Sequence, residues 1–133
     1  MTRPTRNQRK GATAVEFAFV APILFLILFG CIELGMAHMM YHTQESAAYE
    51  GARTAIIPGI TAADAINSTN RILATAGINN ATVTVTPNDL SAPTNSVTVT
   101  VSSRFSDNIP LPTFFVNDDP MVRSCTLQRE RLE

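Results

Sequence analysis

Residues 17–32 read FAFVAPILFLILFGCI, sixteen positions without a charge, bounded by Glu16 and Glu33. No soluble helix of ordinary amphipathic design is apolar on every side in this way. Extended through its small and apolar flanks, the run makes a helix candidate from Ala12 to about Met40. The 21 steps from Ala12 to Glu33 cover about 32 Å at 1.5 Å per residue, close to one hydrocarbon thickness. Glu33 therefore falls at the far end of the span, where a charge costs little. Pro22 removes one backbone hydrogen bond, which a spanning helix tolerates, at most as a kink.

Charge orients the segment. Arg3, Arg6, Arg9 and Lys10 precede it with no acid among residues 1–11, whereas the rest of the chain carries six basic against eleven acidic side chains. The positive-inside rule puts the N-terminus in the cytoplasm and residues 41–133 outside. A cleaved secretory signal also has a basic start and an apolar run, and Gly35-Met36-Ala37 offers a small-residue site. The run is long for such a signal, however, and Glu at both edges suits one poorly.

Composition narrows the rest. The chain has 133 residues, 45% hydrophobic and 16% charged, with net charge −1. This excludes disorder throughout, a large multi-domain enzyme, and the basic surplus of a nucleic-acid binder. Cys31 and Cys125 are too few and too distant for a disulfide framework, and no bond between them is expected. With no Trp and two His the catalytic inventory is thin, so neither an enzyme nor a cofactor is expected. His38, His42 and Glu45 share one helix face at metal-ligand spacing. They are not HExxH and lack a fourth ligand, and polar residues just outside a bilayer give the same pattern. No metal site is assigned.

Glu16 stands about 6 Å along the helix from Ala12. An ionised carboxylate there is costly without a partner, about 2.5–3.5 kcal/mol at the bilayer centre and less near the edge. A Glu reaching to the headgroups is one solution. An amine exposed by proteolysis just before Ala12 is another. The stretch Arg9-Lys10-Gly11-Ala12-Thr13-Ala14-Val15-Glu16-Phe17 has the form this needs: basic residues, glycine, small residues, then Glu five places after the glycine. It resembles the prepilin-peptidase site of type IV pilin-like proteins. That resemblance implies cleavage between Gly11 and Ala12, and pairing of Glu16 with the new N-terminus of a neighbouring subunit.

With Ala18, Pro22 and Phe29-Gly30-Cys31-Ile32-Glu33-Leu34-Gly35 added, residues 9–57 resemble the TadE family of minor pilins of bacterial tight-adherence (Flp) pili. Met36 departs from the arginine expected there in many members. The related TadG type has a much larger outer domain than this chain has room for, and the TadF type is a close neighbour. The family implies a single-pass protein of the bacterial inner membrane. Its expected partners are prepilin peptidase, other pilin or pseudopilin subunits and the assembly machinery, with no nucleic acid, in a system of adhesion and secretion. Ala14, Ala18, Ala21 and Gly30 would permit close helix contacts. The alternative is a signal-anchored binding or sensing module unconnected with pili, and a third reading is a secreted protein with its span removed near His38. Proton transport is disfavoured, because one acid at each edge makes no relay.

Beyond the span, residues 41–57 contain no proline, and Tyr41, Ala48, Ala52, Ala55 and Ile56 share one side at helical spacing. The helix should thus continue to Pro58-Gly59, a rod of about 69 Å over residues 12–57. A second helix is expected over 62–76, with Thr61 as N-cap, Asp64 in the first turn and Gly77 at the stop. Its stripe is Ala65, Ile66, Ile72, Leu73 and Ala76. Alternation over 81–86 and 96–101 predicts a hairpin around Pro87, Asn88, Asp89 and Pro93, and a strand over 121–128 completes a three-stranded antiparallel sheet. Residues 105–119 read as irregular, with Phe114 and Phe115 assigned to the core rather than to a neighbouring subunit. The expected architecture is α+β. A basic leader (1–11) precedes a transmembrane helix (12–40) that continues as the spine of an extracytoplasmic domain (41–133). The small head needs the alanine face of the spine to bury enough surface.

Overall fold

The computed structural model of the protein describes residues 6–90, 95–109 and 113–129, with side chains from Gly11 onward. The leader residues 1–5, the turn around Pro93 and the segment of Pro110 and Pro112 lie outside the described residues. The order of elements is α1 (Arg6–Ala55), α2 (Ala62–Thr75), β1 (Thr82–Thr86), β2 (Ser96–Ser103) and β3 (Met121–Gln128). The α+β architecture is as expected from the sequence.

Helix α1 has 50 residues, about 75 Å of rod, and continues through Pro22. It begins at Arg6, earlier than the expected start at Ala12. Arg, Gln and Lys are good helix formers, and Gly11 alone is too small an interruption to end a helix, at about 1 kcal/mol relative to Ala. Its first half is bare, with Phe17, Phe19, Ile23, Leu24 and Leu28 all exposed; its second half is the floor of the head. After Ala55 the chain turns at Gly59 (φ +84°) and enters α2 through a capping box. The Thr61 side chain accepts from the Asp64 amide, and Asp64 accepts from the Thr61 amide. Gly77 (φ +76°) ends α2 with Ile78 N–H donating to Leu73 O at 2.9 Å, the left-handed stop that glycine makes without strain.

The sheet is antiparallel in the order β1-β2-β3. Val83 faces Val101 and Val85 faces Val99 across the first pair; Val99 faces Cys125 and Val101 faces Arg123 across the second. Because side chains alternate along a strand, Val97, Val99 and Val101 all enter the core and are fully buried. Opposite them lie Ala47, Ala48, Ala52 and Ala55 of α1, also fully buried, with Ala65 and Leu73 of α2. Small side chains on the spine let both layers sit close to it. A Cβ placed on Gly51 would stand 2.1 Å from Thr69 Oγ1 and 3.2 Å from Val99 Cγ1, so only glycine fits where α1, α2 and β2 meet.

Phe114 and Phe115 depart from expectation. They are not core residues but 74% and 53% exposed. Phe105, at the end of β2, takes the core position instead and is fully buried among Met40, Ala47 and Ile78.

Candidate functional site

Two carboxylates bound the apolar half of α1, and their surroundings differ. Glu16 is exposed on the bare helix and, among the described residues, has neither a hydrogen-bond nor an ionic partner. Ala14 and Ala18 are exposed on the same stretch, and Ala21 is half-buried. Gly11 lies within α1, and among the described residues a Cβ added to it would meet nothing within 4 Å.

Glu33 is the opposite case. It is only 8% exposed, because the segment after residue 112 descends along α1 and wraps its carboxylate. Oε1 accepts from the backbone N–H groups of Phe114 (3.0 Å), Phe115 (3.0 Å) and Val116 (2.8 Å), and Oε2 accepts from Phe114 N–H at 3.1 Å. Three successive N–H groups converging on one anion form a nest, the geometry that backbone amides use to hold a negative group without a cation. The charge that the sequence places at the span's far edge is thus met by the protein's own head.

The same segment brings an aromatic ring onto the helix. A Cβ on Gly30 would stand 3.1 Å from Phe115 Cε2, and Gly30 is buried. Gly30 therefore serves a contact within the chain, between α1 and Phe115, and its surface is not open to another helix. Beside it, Phe29, Met36, Phe105, Ile109 and Phe114 surround a cavity of about 230 Å³ with Glu33 at its wall. Above the rings the chain turns polar: Asn117, Asp118 and Asp119 are exposed. Hydrogen bonding from Ser106, side chain first and then amide, holds the Asp118 carboxyl below its ordinary value against a desolvation that would raise it.

Further up α1, His38 and His42 stand with their Nε2 atoms 3.1 Å apart, and His42 Nδ1 lies 3.5 Å from Glu45 Oε2. The shared face expected from their spacing is present, in the open. Among the described residues no group of three or more His, Cys, Asp or Glu is arranged to hold a metal ion. Cys31 and Cys125 are both free thiols, the first exposed on the span and the second half-buried under the sheet, where burial pushes its thiol up.

Two ties have no signal in the sequence. Gln44, fully buried, donates from Nε2 to Ser103 Oγ at 2.8 Å and fastens the spine to β2 across 59 residues. The Arg123 guanidinium lies 3.4 Å from the centroid of the Tyr41 ring and fastens the spine to β3. A glutamine among alanines and an arginine in an alternating strand read as surface residues until their partners are known. Gly51, between Ala48 and Ala52, is legible as part of a small-residue face, and the Glu33 nest is not.

Comparison with known proteins bears on the helix. A family model described as TadE-like protein matches residues 11–53, in agreement with the resemblance seen in the motifs. The match runs from the glycine before Ala12, through both carboxylates, to the alanine face under the sheet. Over residues 11–53, about the length of α1, the chain is similar to the TadE-like family. No curated protein and no solved structure matches the chain.

Proposed function

We propose that this protein, TadE-like over residues 11–53, is a minor pilin or pseudopilin: a structural subunit, not an enzyme, in the assembly of a tight-adherence (Flp, type IVb) pilus. It inserts with its basic leader in the cytoplasm and its head outside. Prepilin peptidase cuts after Gly11, and the freed helix packs laterally with other pilin helices. The observation that carries this reading is Glu16: a carboxylate without a partner among the described residues, on a bare apolar helix, five places after a glycine that follows basic residues. In lipid, such a group favours whatever neighbour brings a positive charge to its depth. A new amino terminus at Ala12 is such a charge, and because a misaligned neighbour leaves the acid unmatched, Glu16 sets the register between subunits. Ala14 and Ala18 allow the close helix approach that this pairing needs.

The deciding measurement is the mass of the protein extracted from membranes. Loss of residues 1–11 supports the proposal. An intact N-terminus overturns it in favour of a signal-anchored binding or sensing module, and a new terminus near His38 indicates a secreted product. Glu16→Ala tests the register role separately: insertion and cleavage proceed, and pilus assembly fails. Normal assembly with alanine at that position removes the role.

A further inference from the structure

The head does not stand clear of the apolar half of α1. From Ala12 to Gly30 the helix rises 18 steps, about 27 Å, against a hydrocarbon thickness of about 30 Å. Gly30, under the Phe115 ring, therefore lies inside the last turn of the span, and any tilt of the helix brings it deeper. The segment 113–116 reaches this depth because Glu33 takes three of its N–H groups. At the edge of the hydrocarbon those amides lose water as a partner, and the Glu33 carboxylate takes its place, so the segment lies against the helix there without open donors. What remains outward is apolar. Phe114 is exposed beside Phe29 at the cavity and Phe115 is exposed over Gly30, so both rings lie next to the bare end of α1 that carries Phe25, Leu28 and Phe29.

We propose that the Phe114–Phe115 loop is a membrane-inserted wedge, seated among the acyl chains of the leaflet on the head's side. The cavity between it and α1, walled by Phe29, Met36, Phe105, Ile109 and Phe114, with Thr113 and the amide-bound Glu33 at its edge, takes the end of a phospholipid acyl chain. The occupant is hydrocarbon and not a charged headgroup, because the loop continues into Asn117, Asp118 and Asp119 and presents no cation of its own. The wedge fixes how far the span can slide through the bilayer and how the head leans on it. A second copy of the chain covering the same rings is the competing occupant. The proposal rests on the span being in a bilayer, not on cleavage or on pili.

The chain has no tryptophan, so single reporters can be placed in the full-length protein reconstituted into phosphatidylcholine vesicles brominated at shallow or deep acyl positions. With Phe114→Trp, the emission is blue-shifted and loses more intensity to shallow than to deep bromines, independent of salt and of protein-to-lipid ratio. With Asn117→Trp, quenching comes from aqueous iodide. With Leu24→Trp, deep bromines quench most, which establishes the span separately from the loop. Iodide quenching without bromine quenching at position 114 overturns the wedge. So does a blue shift there that ignores bromines and grows with protein-to-lipid ratio, which assigns the surface to a second copy. Failure of bromines to quench at position 24 overturns the wedge and the span together.

Discussion

Gly51 sets how closely α2 approaches the spine, because a Cβ there would fall within 2.1 Å of Thr69 Oγ1. Gly51→Ala should destabilise the head by about 1–3 kcal/mol, the usual cost of overpacking. Adding Thr69→Ala removes the offending oxygen and should recover part of that loss, read as a non-additive double-mutant cycle in denaturant titration. Additive losses would mean that the two layers are not in contact there. Gly11 is the contrasting glycine. With nothing near it, Gly11→Ala should leave the circular dichroism and head stability unchanged, yet yield protein of full mass if glycine is what the peptidase reads. Glu33 acts through the amides it collects. Glu33→Ala should speed hydrogen exchange at Phe114, Phe115 and Val116 while β2 keeps its protection, and unchanged exchange at those three amides would show that the loop holds itself.

Among the elements, α2 depends on its first turn. Thr61→Ala removes the acceptor for the Asp64 amide and should cost about 1 kcal/mol of head stability. The reciprocal half of the box is pH-dependent. Hydrogen bonds from the Thr61 side chain (2.6 Å) and amide (3.0 Å) hold the Asp64 carboxyl below its ordinary value of 3.8. A depressed folded value means that the unfolded chain binds the proton more readily, so this contribution is complete above the ordinary value and is lost as pH falls through the folded one. Acid titration of the wild-type head should therefore show a loss of stability below about pH 4 that is shallower in Asp64→Asn, which has no proton to gain; identical acid limbs would remove Asp64 from the account. The sheet is less delicate, since its inner face is valine on β2 and its outer face carries polar pairs such as Thr98 and Thr126, 2.7 Å apart.

At the scale of the molecule, one helix has two unlike halves. Among the described residues the apolar half of α1 is bare over most of its length, whereas the second half buries one face, that of Ala47, Ala48, Gly51, Ala52 and Ala55, and leaves His42, Glu45 and Tyr49 exposed on the other. The head is not separable from the spine: Ala47, Ala48, Gly51, Ala52 and Ala55 are one wall of its core, and Gln44 is bonded to Ser103 inside it. A chain beginning at residue 38 should therefore fold with a protected β2, whereas one beginning at residue 58 should show no cooperative unfolding transition. A cooperative transition in the shorter chain would mean that α2 and the sheet suffice alone.

Much of this is legible in the sequence because it depends on local chemistry. A charge-free run of sixteen residues has few ways to avoid water, Thr61 and Asp64 are spaced to cap a helix, Gly77 can adopt positive φ, and valine alternating with threonine separates the faces of a strand. The start of α1 lies earlier than Gly11 suggests, because one glycine weighs less than the good helix formers around it. Hydrophobicity alone sends Phe114 and Phe115 inward, and it does not distinguish a core from a bilayer.

Sequence by itself determined the elements, their order, the long apolar helix and the glycine–glutamate spacing at its start, since each follows from neighbours within a few residues along the chain. Only the tertiary structure decided that Glu33 is wrapped by amides 81 to 83 residues away, that Gly30 lies under Phe115, and that Gln44 reaches Ser103. Those contacts join segments distant in the chain, and their physical cause is the need of buried polar groups and close-packed surfaces for partners that no local pattern encodes.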